Sequence, residues 1–263
     1  MSAEVSAVAR TLAFFCALLA GCAQLVPAPG GLAVIDRAAA EAGWARVLES
    51  RVDDRGRVDF AGLERDRSDL DRFVAWIYSA GPNNRPELFA TRADVLAYHI
   101  NAYNALAMYS VLAAGRPRSL SEYGLVRFFY LRRVAVGGES MSLYRYENEV
   151  IRPLGEERVH FVLNCMAVSC PRLPRQPFHA ATLEAALDTE ARHFFGEPRN
   201  VSVDPARRVA RLSAILDFYP GDFLAKSPSL IEYANRYREA SIAPDYAVEF
   251  IPYDWSVSGQ DAP

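Results

Sequence analysis

The sequence predicts an α+β fold, with a mainly antiparallel sheet and helices packed on it in a single domain. Two hairpin patterns support this prediction: 134–143 (VAVGGESMSL) turns at two glycines, and 201–212 (VSVDPARRVARL) turns at a proline. Helical patterns surround the hairpins, and the hairpins outnumber strand–helix–strand units. That balance favours α+β over a parallel α/β sheet.

Apolar periodicity and capping residues predict where the helices lie along the chain. Helices are predicted over 32–51, 63–79, 91–114, 143–154, 183–195, 213–224 (with a break at Pro220 and Gly221) and 229–237. Ser142 and Thr182 are predicted to cap two of them. Short strands are predicted over 57–60 and, at the end of the chain, over 248–257.

The helix over 91–114 has the longest pattern. Thr91 and Asp94 approximate a capping box, and a broad apolar face predicts a largely buried helix. Asn101 and Asn104 are three residues apart and so share one side of it. Because buried amides must be hydrogen-bonded, they either tie down neighbouring loops or contact a substrate. We take both as candidate binding residues and expect the nearby His99 to be an ordinary hydrogen-bonded histidine.

The N-terminus has the pattern of an exported lipoprotein. An apolar run over 12–20, too short to span a bilayer, ends in the sequence LAGC at Cys22, which resembles the bacterial lipobox. This pattern predicts a signal peptide over 1–21, a diacylated (palmitate-bearing) Cys22 with a tether over 22–31, and a globular domain over 32–263. The residue after the cysteine is Ala23 and not aspartate, which resembles the pattern of lipoproteins that are sorted to the outer membrane. We expect a periplasm-facing protein held in the membrane by its lipid, with an ordinary cleavable signal as the alternative.

The charge balance excludes one class of partner. The chain has 29 Lys and Arg against 32 Asp and Glu, scattered along its length, for a net charge of −3. No basic patch for nucleic acid is present, so we predict no nucleic-acid partner. No phosphate-binding glycine loop, nucleotide fingerprint or G-x-S-x-G nucleophile motif appears either, and no cofactor is predicted.

The stretch 159–173 (VHFVLNCMAVSCPRL) concentrates the residues capable of chemistry. Its apolar first half predicts a buried strand over 159–163, which the prolines at 171 and 174 end. His160, Asn164, Cys165 and Cys170 would then lie at and just beyond one strand end, where folds commonly place reactive side chains. Once the signal peptide is removed and Cys22 is lipidated, Cys165 and Cys170 are the remaining cysteines, and in an oxidising compartment they are a candidate disulfide.

Six blocks of the sequence, in order over about 58–257, resemble a known family. They are RVDFAGL, YHINAYNAL, VAVGGESMSL followed by YENEVIRPLG, RVHFVLNCMAVSCPRL, ARLSAILDFYPGDF and YDWSV. The chain resembles the family catalogued as domain of unknown function 547, which occurs in bacterial secreted proteins and lipoproteins and in larger eukaryotic proteins. The resemblance implies no established activity.

The chain departs from the family pattern at three positions. That pattern resembles a tryptophan at His99, a glycine at Met166 and a histidine at Asn148. If the histidine is a base or a ligand in relatives, the resemblance implies that this chain either lacks the activity or relies on His160 alone.

Thiol chemistry is the first functional hypothesis. A cysteine nucleophile needs a neighbouring base, and the base needs an orienting group. In a regular strand His160 would face away from Cys165, so Cys170 is the first choice of nucleophile, with His160 as base. Cys165 and Glu147 complete the candidate catalytic set, and Glu147 and the amides of Asn101, Asn104 and Asn164 could orient the base or bind substrate. The reaction would be hydrolysis or acyl transfer.

Two other hypotheses remain open. The spacing H-x4-C-x4-C supplies three possible metal ligands but lacks the short cysteine pairing common in structural zinc sites, so we predict no metal. Alternatively the protein is not an enzyme: Cys165 and Cys170 form a disulfide, and the buried amides and the C-terminal YDW segment hold a binding surface.

Overall fold

A computed structural model describes residues 24–30 and 36–261 of the chain. Within these ranges the predicted α+β class is confirmed: many short helices surround two small sheets. The predicted signal peptide over 1–21, the lipidation of Cys22 and the first residues of the predicted helix over 32–51 lie outside the described residues.

Helices form most of the described fold. In chain order the α-helices are α1 (Arg37–Arg51), α2 (Phe60–Arg65), α3 (Ser68–Ser79), α4 (Arg92–Ala113), α5 (Leu120–Tyr123), α6 (Leu143–Arg145), α7 (Leu183–Gly196), α8 (Ile215–Phe218), α9 (Pro220–Leu224) and α10 (Leu230–Asn235). Single 3₁₀ or π-helical turns lie at Pro86–Leu88, Arg127–Leu131, Tyr146–Ile151, Arg152–Leu154, Glu157–Phe161 and Ala180–Thr182.

Each sheet consists of one predicted hairpin and one added parallel strand. The strands are β1 (Gln24–Leu25), β2 (Arg132–Val136), β3 (Glu139–Ser142), β4 (Val201–Asp204), β5 (Val209–Ser213) and β6 (Ala247–Ile251). The hairpins β2–β3 and β4–β5 are antiparallel, whereas β1 joins β2 and β6 joins β5 in parallel. The result is two three-stranded mixed sheets instead of one antiparallel sheet.

Two predicted elements differ in detail for local reasons. The helix predicted over 63–79 is interrupted at Asp66, whose carboxylate accepts hydrogen bonds from the backbone and hydroxyl of Ser68 and so ends α2. The strand predicted over 57–60 is reduced to isolated bridges at Val58, because α2 already begins at Phe60.

Helix α4 forms the centre of the larger hydrophobic cluster. It begins at the predicted capping box, in which the Thr91 and Asp94 side chains each bond the other's backbone N–H, and its residues from Leu96 to Val111 are buried. Helices α1 and α3 pack beside it and carry the stacked pair Trp44 and Phe73. A second cluster joins α7 to α10 with β4 and β5.

Residues 24–27 of the predicted tether contact the domain. β1 pairs with β2, and Val26 is 1% exposed. The Tyr78 and Tyr109 hydroxyls donate to the carbonyls of Val26 and Pro27. Across the ranges 24–30 and 36–261, no helix is both long and apolar enough to cross a membrane.

His99, in the middle of α4, should make stability depend on pH. Burial lowers its pKa to about 4, and its ring Nδ1 lies 2.8 Å from the Tyr146 hydroxyl oxygen. In the unfolded chain a histidine takes up its proton near pH 6.5, so the unfolding free energy should fall as the pH drops from about 6.5 to 4, by up to about 3 kcal/mol. His99→Gln, which does not titrate, should flatten this dependence in urea unfolding at several pH values.

The exposed His179→Gln is the matched control and should leave the pH dependence as it is in the wild type. The same slope in His99→Gln as in the wild type would contradict the prediction.

Candidate functional site

The segment from Val162 to Pro171, which we call the cysteine loop, is held by two buried amides. Asn104 donates from Nδ2 to the Val162 carbonyl at 2.9 Å and accepts from the Asn164 N–H at 2.7 Å. Asn164 in turn donates to the Pro171 carbonyl at 2.7 Å and accepts from the Met166 N–H at 2.6 Å. Both amides are thus engaged by the loop's own backbone. A direct contact of either with a ligand stays a prediction.

Asn101 ties down a different part of the chain. Its Oδ1 accepts from the Trp44 indole N–H and from the Phe178 N–H, and its Nδ2 donates to the Phe178 carbonyl. It lines a separate small cavity of about 80 Å³. The structure therefore does not bring Asn101 together with the cysteine loop.

The strand predicted over 159–163 is wrong. Residues Glu157–Phe161 form a 3₁₀ turn instead. This run lies between the two clusters: Val159 and Val162 pack into the larger one and Phe161 into the second. Four of the five residues over 159–163 are apolar, so the sequence shows no hydrophobic periodicity that could distinguish a strand from a buried turn. The argument that strand geometry parts His160 from Cys165 consequently does not apply.

Cys165 and Cys170 lie at disulfide-bonding distance, with their Cα atoms 6.2 Å apart. The two cysteines that the sequence predicted as a candidate disulfide are thus confirmed to lie close enough to form one. The Tyr253 hydroxyl oxygen is 3.1 Å from the Cys170 Sγ and 3.5 Å from the Cys165 Sγ. Burial raises the pKa of Tyr253, so its hydroxyl stays protonated. A sulfur in a disulfide has no thiolate to offer as a nucleophile.

His160 bonds to an acid that sequence reasoning missed. Its Nε2 lies 2.8 Å from the Asp222 Oδ2, and its ring stacks on Tyr219 with the centroids 4.1 Å apart. Asp222 also receives two hydrogen bonds of 2.8 Å from the Arg152 guanidinium. The bonds from His160 and Arg152 hold the pKa of the Asp222 carboxyl well below its usual range, so it is ionised at neutral pH.

Asp222 lies 62 residues after His160, and no local spacing relates the two. A signal was nevertheless present, because Asp222 belongs to the block ARLSAILDFYPGDF that resembles the family pattern.

Glu147 lies in the same region but has different partners. Its Oε2 accepts from the Tyr103 hydroxyl at 2.9 Å. Burial, and next the charge of Glu147, raises the pKa of Tyr103 and of Tyr219, so both phenols stay protonated donors. Asn148 follows Glu147 in the sequence, at a position where the family pattern resembles a histidine. Its side-chain oxygen accepts a hydrogen bond from the Arg152 guanidinium at 2.6 Å.

One cleft of about 500 Å³, a size typical of small-molecule sites, is lined by several of the side chains described above: Tyr103, Asn148, Arg152, Tyr219 and Tyr253. Its walls are rich in aromatic side chains: Tyr103, Phe129, Tyr130, Tyr144, Phe218, Tyr219, Tyr253 and Trp255. Four of the predicted site residues, Glu147, His160, Cys165 and Cys170, also line it. Asn104 and Asn164 do not line the cleft but hold the cysteine loop that forms part of its wall. Their role in ligand binding stays a prediction.

Within the described ranges, no three histidine, cysteine or acidic side chains come together in a way that could hold a metal ion. Of the three candidate ligands of the H-x4-C-x4-C spacing, His160 is hydrogen-bonded to Asp222, and the two sulfurs lie at disulfide-bonding distance from each other.

Comparison with known protein families finds a match to part of the chain. Residues 88–195 match the family described as Protein of unknown function, DUF547. The DUF547 match begins just before α4, ends within α7 and includes Asn101, Asn104, Glu147, His160 and the cysteine loop. Asp222, Tyr253 and Trp255 lie beyond it. No curated protein and no solved structure matches the chain.

Replacing Asp222 should lower stability measurably. Asp222→Asn removes the charge that accepts from His160 and Arg152, and hydrogen bonds to charged groups stabilise by about 1.5–3 kcal/mol. Because Asp222 is partly solvent-exposed, we expect a loss of about 1–2 kcal/mol at pH 7 in urea unfolding. The stabilisation should fade in the wild type as the pH falls below about 4, where an unperturbed aspartate is protonated.

The control is Asp217→Asn, an exposed carboxylate on the preceding helix α8. Equal unfolding free energies for the two variants at pH 7 would contradict this role of Asp222.

Proposed function

We propose that this protein is a cell-envelope lipoprotein whose aromatic cleft binds a ligand, and that Cys165 and Cys170 form a disulfide in the cleft wall. The observation that carries the proposal is the pairing of the two sulfurs beneath the Tyr253 hydroxyl. A bond between the two sulfurs would leave no free thiol among the residues that line the cleft. A cleft that has no free thiol to act as a nucleophile, but has hydrogen-bonded polar groups and aromatic walls, is suited to binding a ligand.

The walls indicate which ligands suit the cleft. Aromatic rings present flat apolar faces, whereas Glu147 and the phenols of Tyr103 and Tyr219 supply an acceptor and donors. A carbohydrate, a peptide or another ligand with both an apolar face and polar groups fits this arrangement.

The thiol state of the two cysteines tests the proposal. In the full chain, expressed with export, alkylation without reductant should leave Cys165 and Cys170 unmodified, and alkylation after reduction should modify both. Mass spectrometry of the peptide that contains them gives the answer directly. Two free thiols, one of which reacts quickly below pH 7, would contradict the proposal and favour a catalytic cysteine.

Trp255 provides a direct reporter of binding. It lines the cleft and is partly exposed, whereas the other two tryptophans, Trp44 and Trp76, are buried. We expect at least one of an oligosaccharide, a tripeptide and a short-chain phospholipid to change the tryptophan emission saturably in the wild type but not in Trp255→Phe. No saturable change with any of the three would count against a binding cleft.

A second function, thiol-dependent hydrolysis or acyl transfer, is favoured by one observation. His160 is held by the carboxylate of Asp222 at 2.8 Å, which is how a general base is oriented in nucleophilic catalysis. Such a reaction would first require reduction of the disulfide, after which Cys170 would be the nucleophile. Its signature is an activity that appears with reductant and disappears in Cys170→Ser.

The lipid anchor rests on the residues before the described domain. The apolar run that ends at Cys22 supports diacylation of that cysteine, and Ala23 supports placement in the outer membrane facing the periplasm.

Cys22→Ser should release the protein from the membrane. The wild-type chain should sediment with membranes, and its N-terminal peptide should have the added mass of the acyl chains, whereas the variant should be found in the soluble fraction. Unmodified Cys22 in a membrane-free wild-type protein would overturn the anchor.

A further inference from the structure

The chain is fixed to the domain almost immediately after Cys22. Gln24 and Leu25 pair with Arg132 and Arg133, and the Val26 N–H donates to the Arg133 carbonyl at 2.7 Å. Val26 is buried, and the Tyr78 hydroxyl donates to its carbonyl. Gln24, Leu25 and Val26 are therefore part of the domain.

The distance available to the anchor is short. Only Ala23 separates Cys22 from Gln24, so a fully extended backbone spans at most about 7 Å between their Cα atoms. Such an attachment cannot act as a long flexible tether. A lipid on Cys22 would hold the start of β1 close to the bilayer surface.

The start of β1 lies close to a segment that lines the cleft. Because β1 and β2 are parallel, the first residue of β1 lies next to Arg132, the first residue of β2. The turn Arg127–Leu131, directly before β2, contributes Phe129 and Tyr130 to the cleft wall. The start of β1 and these two cleft-lining residues therefore lie at the same end of β2.

Apolar and aromatic side chains are exposed on β1, on the segment before β2 and on α6. Leu25 is 54% exposed, Val126 62%, Tyr130 49% and Tyr144 43%. The rings of Tyr130 and Tyr144 stack with their centroids 4.3 Å apart, and Val126 lies one turn before Tyr130. Tyrosine favours the interface between lipid and water, where its ring and its hydroxyl are both accommodated.

A cation accompanies the apolar residues. Arg127 is exposed, and its guanidinium lies 4.6 Å from the centroid of the Tyr123 ring. An exposed arginine between Val126 and Tyr130 suits the phosphate of a lipid headgroup.

From these observations we infer that the cleft opens toward the membrane, with the rim of Leu25, Val126, Tyr130 and Tyr144 lying on the lipid headgroups. The inference rests on the proposed anchor at Cys22 and deepens the proposed function, because a cleft in this orientation receives an amphiphilic ligand presented by the bilayer. The partner of the rim is the bilayer surface itself.

Spin labelling of the lipidated full chain tests the orientation. With Cys165 and Cys170 disulfide-bonded and Cys22 acylated, a cysteine introduced as Val126→Cys is the one free thiol of the mature chain and accepts a nitroxide. The protein is reconstituted on vesicles of phosphatidylethanolamine and phosphatidylglycerol. Ser241→Cys, an exposed position between α10 and β6, is the matched control.

The nitroxide at position 126 should collide more often with oxygen, which concentrates in lipid, and less often with a water-soluble nickel chelate. We expect its oxygen-to-nickel collision ratio to be several-fold higher than at position 241. A flexible glycine–serine insertion between Ala23 and Gln24 should lower the ratio at position 126 while the protein stays on the vesicles.

The possible failures are distinguishable. Acylated Cys22 together with equal collision ratios at the two positions overturns the orientation and leaves the anchor intact. Unmodified Cys22, found by mass spectrometry in a protein that does not remain on the vesicles, overturns the anchor and the inference with it.

Discussion

Two buried side-chain amides hold the cysteine loop in place. Asn104 and Asn164 make four hydrogen bonds of 2.6–2.9 Å to backbone groups of the cysteine loop. They replace the ladder that a strand would have supplied, because buried backbone groups that lack a sheet partner must find another one. The positions of Cys165 and Cys170, and with them one wall of the cleft, follow from these bonds.

The cleft depends on contacts from distant parts of the chain. Arg152 and His160 meet Asp222 from α9, and Tyr253 reaches the two sulfurs from the residues after β6. The DUF547 match ends within α7, so the matched segment alone supplies neither Asp222 nor Tyr253. Hydrogen bonds that fix the polar side chains of a cleft reduce the conformational entropy that it loses when it binds a ligand. This property suits binding, whereas catalysis by a cysteine would first require the proposed disulfide to be reduced.

The sequence predicted the α+β class, both hairpins and the capping box at Thr91, because these features depend on local periodicity and capping. It failed over 159–163, where a buried turn between two clusters carries the same apolar residues as a strand. It also missed Asp222, since its pairing with His160 is set by tertiary packing. Met166, at φ 70°, adopts a left-handed backbone conformation that favours glycine, and this position is one where the family pattern resembles glycine.

The most direct test of this account is the rate at which the Cys165–Cys170 disulfide is reduced when Asn104 is replaced. Cys165 and Cys170 line the cleft but are only 9% and 3% exposed, so a reductant should reach the proposed disulfide more readily when the cysteine loop opens. Asn104→Ala removes two buried hydrogen bonds to the loop and should accelerate reduction by dithiothreitol roughly tenfold or more. Asn101→Ala, which removes three bonds elsewhere on the same helix, should leave the rate unchanged. Equal rates in the two variants would contradict the claim that the Asn104 amide holds the cysteines in place.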